Sequence, residues 1–313
     1  LSEDGVIEVG SGGEPLSLPI NVQNSSVSLY PLSSFTAILF LVAILLQIFT
    51  LIDDAYGVRP AKRLLGQSIG ALAVIIFGNI YITSLQISIL GISLQLGFWG
   101  IPFTVVAVVG IINAFNMIDG INGLCAGLAL VAIGALQVAS GFNVSNYSLV
   151  IAMGSIIGFL FYNLGFLGTK RRVFLGDNGS TFLGFLVAWT CINYSQGEAN
   201  LIMPVTCLWI VAIPLLDCIG VMVYRVMRGI LPFDAGRDHI HHKLQAYLGS
   251  SFKALTFLCG MGVSLASIGI IIEKTTQSSE ISLLIFLGVA ACYYFGSNYI
   301  STKILTNNTT ADV

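Results

Sequence analysis

NAFNMIDGINGLCAG, residues 113–127, sits directly between two apolar runs, 103–112 and 128–138. One carboxylate, three Asn and three Gly make an odd connector between hydrophobic segments. Polar and ionisable groups at such a boundary are costly unless they face a protein-lined, wetted cavity, so their default reading is functional. Asn supplies a donor and an acceptor, Asp119 a fixed negative charge, and Gly a backbone that a ligand can approach closely. That set suits a polar, phosphate-bearing or nucleoside-like ligand at a membrane surface. The bland alternative is a helix-breaking turn whose Asn and Gly only cap helix ends.

The whole composition agrees with a membrane setting. The 313 residues are 56% hydrophobic and 9% charged, whereas soluble domains carry roughly 25% charged residues. Six Cys are scattered through or beside apolar runs with no CxxC or Cys/His metal spacing. They read as small buried hydrophobes rather than disulfides or zinc ligands. No nucleic-acid partner is expected.

A spanning helix needs about 20 apolar residues. Segments of that kind lie at 34–52, 66–83, 100–117, 121–140, 147–166, 180–196, 201–224, 253–272 and 281–300, which predicts an all-α polytopic protein with about nine spans. Residues 84–99 alternate weakly and predict a short hairpin or interfacial piece. Residues 1–33 are polar, acidic and Gly/Ser-rich, and read as an extracytoplasmic segment ahead of a transmembrane domain over 34–301 and a cytoplasmic tail over 302–313. With that orientation, N-terminus out and C-terminus in, every one of the 13 basic residues except Lys274 falls on the inner side, as the positive-inside rule asks. All the polar clusters then gather at the cytoplasmic boundary. A transporter would place its ionisable groups near the midplane instead.

Three more clusters join the 113–127 stretch. Asp53 and Asp54 end the first apolar segment, where adjacent carboxylates can share a divalent cation, or one can hold metal while the other accepts a proton. Arg63 and Gln67 follow at helical spacing, adding a cation and an amide to the same mouth. In FLGDNGS (174–180), Asp177 stands at a helix start, where backbone N–H groups and the helix dipole favour phosphate. A simple N-cap is its alternative reading. In GRDHIHHKL (236–244), Arg237, His239, His241, His242 and Lys243 form a cationic patch suited to pyrophosphate or sugar hydroxyls. With no Cys near and hard oxygen donors in the other loops, Mg²⁺ is the expected metal, with Mn²⁺ as an option. Asn163 is a ligand-binding or helix-packing amide. Asp217 is an intramembrane acid with no partner evident in the sequence, read as structural or supporting.

In this order and spacing, Asp53-Asp54 with RLLGQ, NAFNMIDGINGL, YNLGFLGTKRRVFLGDNGS, AIPLLD and HIHHKL resemble the polyprenyl-phosphate N-acetylhexosamine-1-phosphate transferases, glycosyltransferase family 4. The likeness covers about residues 35–300, and HIHH is similar to the branch that uses UDP-GlcNAc. The resemblance implies that a polyprenyl phosphate oxygen attacks the β-phosphorus of a UDP-HexNAc and UMP leaves. The acceptor would be undecaprenyl phosphate, in the inner membrane of a bacterium, and the product would start a surface glycan such as O-antigen, common antigen or a teichoic acid linkage. By the same resemblance, Asp177 and one of Asp53/Asp54, with Asp54 the expected ligand, hold Mg²⁺ while the other orients or deprotonates the lipid phosphate. Asp119 and Asn116 position nucleotide or metal, and Arg63, Asn122 and Asn163 bind substrate. Arg237, His239, His241 and His242 grip the sugar diphosphate, and a homodimer is expected.

Two departures qualify the match. Asn122 stands where the family pattern DGxDGL carries a second Asp, which removes a charge. The family also has about two further N-terminal spans, where this chain has residues 1–33, so the alternative expectation is a shortened homologue that binds polyprenyl phosphate or a glycan-synthesis partner without catalysis.

Overall fold

The computed structural model describes residues 34–89, 92–141, 147–196, 200–231, 236 and 238–311. The polar segment 1–33 therefore lies outside the described residues, as do Arg237 and Asp234. The rest is helical apart from one hairpin. In order the elements are α1 (Ser34–Tyr56), α2 (Pro60–Gly78), β1 (Ser84–Ile89), β2 (Ile92–Gln95), α3 (Gly100–Ile118), α4 (Leu124–Ala139), α5 (Tyr147–Asn163), α6 (Gly176–Gln196), α7 (Pro204–Ile210), α8 (Ala212–Met227), α9 (Ile240–Leu248), α10 (Ser251–Thr276) and α11 (Ser279–Ala311).

Every apolar segment read from the sequence is helical. Five helical stretches, ending in α1, α2, α3, α10 and α11, are long and apolar enough to cross a membrane, and the α7–α8 pair makes a sixth if counted as one broken span. Helices α4 and α5 are apolar but shorter. Helix α1 leaves Leu41, Ile44, Leu45 and Ile48 about half exposed, an outward face that suits lipid rather than water.

The segment 201–224 departs from the expected single span. It breaks at Val211, and α7 and α8 meet at 82°. Pro214 is the cause: it has no N–H to offer the Ile210 carbonyl, so the helical ladder cannot run through. Strands β1 and β2 pair antiparallel as the expected hairpin, with Ser88 opposite Ser93. Gln196, at the end of α6, accepts from Thr83 N at 3.0 Å and donates to Ser84 O at 3.0 Å, which fixes the hairpin to that end of the bundle.

Helices α3 and α6 form the centre. At Gly184 an added Cβ would lie 2.8 Å from Ile112 Cα, so the absence of a side chain lets the two backbones close up. Phe115, Ile118, Leu124 and Val187 are fully buried in the main apolar core. Ile112, Trp189, Val74 and Ala71 fill a second cluster under α1 and α2. This packing fixes the ends of α1, α3 and α6, and those ends carry the acids.

Candidate active site

Helix α1 ends in two carboxylates that part company. Residues 53 and 54 are about 100° apart around a helix, and the core takes one of them. Asp53 is 3% exposed, while Asp54 faces outward. Asp53 Oδ1 accepts from Val58 N at 2.9 Å, closing the α1–α2 turn. Its Oδ2 lies 2.7 Å from Arg63 Nε, a charge contact whose N–H is not aimed as in a regular hydrogen bond. Arg63 also reaches Asp177 Oδ2 through Nη1 at 3.2 Å. One guanidinium thus ties the ends of α1 and α2 to the start of α6. Asp177 stands in the first turn of α6, where the helix dipole favours a negative charge. Its carboxylate turns toward Arg63 rather than folding back as a cap.

The end of α3 is held from two sides. Asn113 Nδ2 donates to Gln67 Oε1 at 2.6 Å, joining α3 to α2. Asn116 Nδ2 donates to Ser180 Oγ at 3.0 Å, joining it to α6. Between them the chain turns at Asp119. Burial pushes the Asp119 carboxyl up to about 6, and the nearby Asp177 charge adds to the rise. Two carboxylates that repel each other in a half-buried site are a ready seat for a divalent cation. Among the described residues no three His, Cys, Asp or Glu side chains gather as a metal cluster. Asp119 and Asp177 are close enough for their charges to interact, and Asp54 is exposed at the end of α1. Asn122 is half-buried in the same turn.

Sequence reasoning missed how the histidine loop meets this turn. A Cβ on Gly120 would lie 1.9 Å from His241 Nε2, so the ring occupies the space beside that glycine. His241 is 1% exposed and neither ring nitrogen has a hydrogen-bond partner among the described residues. Burial holds its pKa down to about 4, with His242 adding to the fall and Asp217 opposing it. His241 is thus neutral at physiological pH.

The three rings of the expected patch stay in contact, His241 stacking on His239 with centroids 5.8 Å apart and tilting against His242 at 4.1 Å, but each has a different further neighbour. His239 binds Asp217, with Nδ1 2.8 Å from Oδ2. His241 faces Gly120. His242 and Lys243 line a polar cavity of about 1100 Å³ between α8, α9 and α11. Arg237 lies outside the described residues. Asn163 is 3% exposed and donates to Val173 O at 2.7 Å, which ties down the connection from α5 to α6.

The two shifted groups oppose each other in stability. Asp119, raised above its ordinary 3.8, binds its proton more readily when folded, so its contribution is lost as pH rises from about 4 through 6. His241, lowered from 6.5, resists protonation when folded, so its contribution is lost as pH falls from about 6.5 through 4. Stability should therefore change little across that window, while the charge state of Asp119 changes fully. Carboxylate ¹³C NMR on Asp-labelled protein without divalent metal should find Asp119 titrating near 6, and Asp177→Asn should lower that midpoint. An unchanged midpoint in the variant would show that the two acids do not interact.

The sequence profile of glycosyl transferase family 4 matches residues 36–195. Among similar proteins is the undecaprenyl-phosphate alpha-N-acetylglucosaminyl 1-phosphate transferase of Escherichia coli O157:H7, 36% identical over 247 residues, or 78% of this chain and 67% of the relative. The protein of the same description from E. coli K12 is 36% identical over 241 residues, covering 75% and 65%. That from Haemophilus influenzae is 39% identical over 241 residues, covering 75% and 67%. This chain spans about two thirds of the length of these relatives. A profile match across half the sequence, together with that identity over three quarters of it, means that the chain belongs to glycosyl transferase family 4.

Proposed function

We propose that this chain is a membrane phosphotransferase that moves GlcNAc-1-phosphate from UDP-GlcNAc to undecaprenyl phosphate. The observation that carries the reading is the convergence of distant loops: Arg63 joins Asp53 to Asp177, Asp177 raises Asp119, and His241 packs on Gly120. Relatives whose names state this reaction support it.

In the reaction, an acceptor phosphate oxygen forms a bond to the donor β-phosphorus. The bond from that phosphorus to the bridging oxygen breaks, and UMP departs with the electron pair. Such chemistry depends mainly on alignment and neutralisation of charge. Asp53 holds Arg63 and the α1–α2 turn. Asp54, exposed beside it, is the carboxylate open to the acceptor phosphate or its proton. Arg63 supplies a cation next to the transferring group. Asn116 and Asn122 orient the nucleotide side, and Asp119 and Asp177 would hold Mg²⁺. When bound, that ion would neutralise charge building on the diphosphate oxygens. His239 and His242 meet the sugar diphosphate, while neutral His241 supports the Asp119 turn.

The topology belongs to the same proposal. Nine spans with the N-terminus out put the acid-bearing helix ends on the cytoplasmic face of a bacterial inner membrane, where the donor is soluble. The product would initiate a surface glycan such as O-antigen, common antigen or a teichoic acid linkage, and the protein would work as a homodimer.

The test is transfer of radiolabel from UDP-GlcNAc into the lipid phase by purified protein with undecaprenyl phosphate and Mg²⁺. Label should enter the lipid, stop with EDTA and return when Mg²⁺ is restored. A folded sample that transfers no UDP-HexNAc label under these conditions would overturn the enzyme reading in favour of a binding-only homologue.

A further inference from the structure

Asp217 lies in α8, 3% exposed, and three elements meet on its carboxylate. His239 Nδ1 is 2.8 Å from Oδ2, and Ile240 N–H donates to Oδ1 at 2.8 Å. The Tyr293 hydroxyl of α11 reaches Oδ1 at 3.5 Å. His239 is itself 7% exposed, and its ring stacks on His241 with centroids 5.8 Å apart and planes 10° from parallel.

The two main contacts do different things. Ile240 opens α9, so its N–H is one of the groups that a new helix leaves without an internal partner, and Oδ1 satisfies it. A capping acid needs no more than this. The second oxygen takes the imidazole as well. An ionised carboxylate only accepts, so Nδ1 must carry the proton and the ring cannot turn over. Nε2 is then the nitrogen left for a ligand, and the stacking on His241 fixes the plane in which it points.

We propose that Asp217 is a positioning residue that sets both the proton location and the orientation of His239, so that the lone pair of Nε2 is presented to a hydroxyl of the sugar nucleotide. The role of His239 toward the donor rests on the reading under Proposed function. The role of Asp217 toward His239 rests on the contacts above.

Asp217→Asn separates positioning from folding. Its amide is nearly the same shape, and its single oxygen can still accept from Ile240. The NH₂ group then faces Nδ1, which must give up its proton, and the tautomer inverts. The chain has only three His, so ¹⁵N-histidine NMR of full-length protein in detergent resolves three rings, with His239→Gln identifying one. The wild type should show a protonated Nδ1 at His239 and the variant an unprotonated one. UDP-GlcNAc affinity, measured by titration calorimetry, should fall several-fold, roughly the size of one neutral hydrogen bond, with turnover at saturating donor changed less. Asp217→Ala should lose affinity further, and Asp217→Glu should restore the protonated Nδ1.

An unchanged ¹⁵N signature in Asp217→Asn would overturn the proposal and leave Asp217 as a cap for α9. Inversion of the tautomer with unchanged donor affinity would overturn it differently, by removing His239 from the donor site. The ¹⁵N signature needs no substrate, so it tests the role of Asp217 toward His239 even in a homologue that does not bind UDP-GlcNAc, and the calorimetry alone tests the role of His239 toward the donor.

Discussion

Replacing Asp177 by Asn is expected to cut transfer of label from UDP-GlcNAc into lipid about a thousand-fold, the scale of losing one strong electrostatic contact in a phosphoryl-transfer site. Asp177 is the point where two lines of contact cross. It accepts from Arg63, which is anchored by Asp53, and it raises Asp119 across the turn. The amide keeps the shape and a hydrogen-bonding oxygen but removes the charge. Arg63 then has one carboxylate instead of two, and the candidate Mg²⁺ seat falls to a single half-buried acid. The rival role, a plain helix cap, predicts a different pattern: about 1 kcal/mol of stability lost and turnover intact. Turnover and thermal unfolding measured on the same preparation distinguish the two. Wild-type turnover by Asp177→Asn would remove Asp177 from the site.

The helices were legible because a membrane chain has few ways to hide its backbone, so long apolar runs translate directly into helical segments. The loops that converge were legible for the converse reason. Asp119, Asp177 and the Asp53-Asp54 pair stand out against a sequence with 9% charged residues. Finer features depended on angles that composition does not carry. Asp53 and Asp54 are neighbours in sequence, yet only the packing of α1 on α2 and α6 decides which is buried. The rings of the HIHH run do touch, but only the placement of α9 shows that His239 meets Asp217, His241 meets Gly120 and His242 lines a cavity, and that burial makes His241 neutral. Asp217 lacked a visible partner because its contacts come from His239 and Ile240, beyond a loop, and from α11. Pro214 did mark the break in α7–α8, but the apolar run continues through it and hydropathy alone counts one segment.

Gly120→Ala tests whether the histidine loop and the Asp119 turn are one unit. Gly120 does not adopt a left-handed backbone, so alanine meets no conformational objection and acts only through its methyl group. That methyl would lie 1.9 Å from His241 Nε2 and 2.6 Å from Cδ2, well inside contact distance. His241 has little room to retreat, since it is 1% exposed and flanked by His239, with ring centroids 5.8 Å apart, and by His242 at 4.1 Å. The strain must therefore move α9 or the Asp119 turn. Overpacking of this kind costs about 1–3 kcal/mol of stability. A displacement near 1 Å at a transfer site costs on the order of a hundred-fold in rate. The expected result is a folded, somewhat less stable protein with transfer reduced by about that factor. His241→Ala should lose packing of its own, but in the Gly120→Ala background it should recover stability, because contacting residues do not add. If both single variants and the double variant simply added, His241 and Gly120 would be independent. If Gly120→Ala turned over like the wild type, the close contact would be incidental to the reaction, and α9 would have to act on the substrate alone.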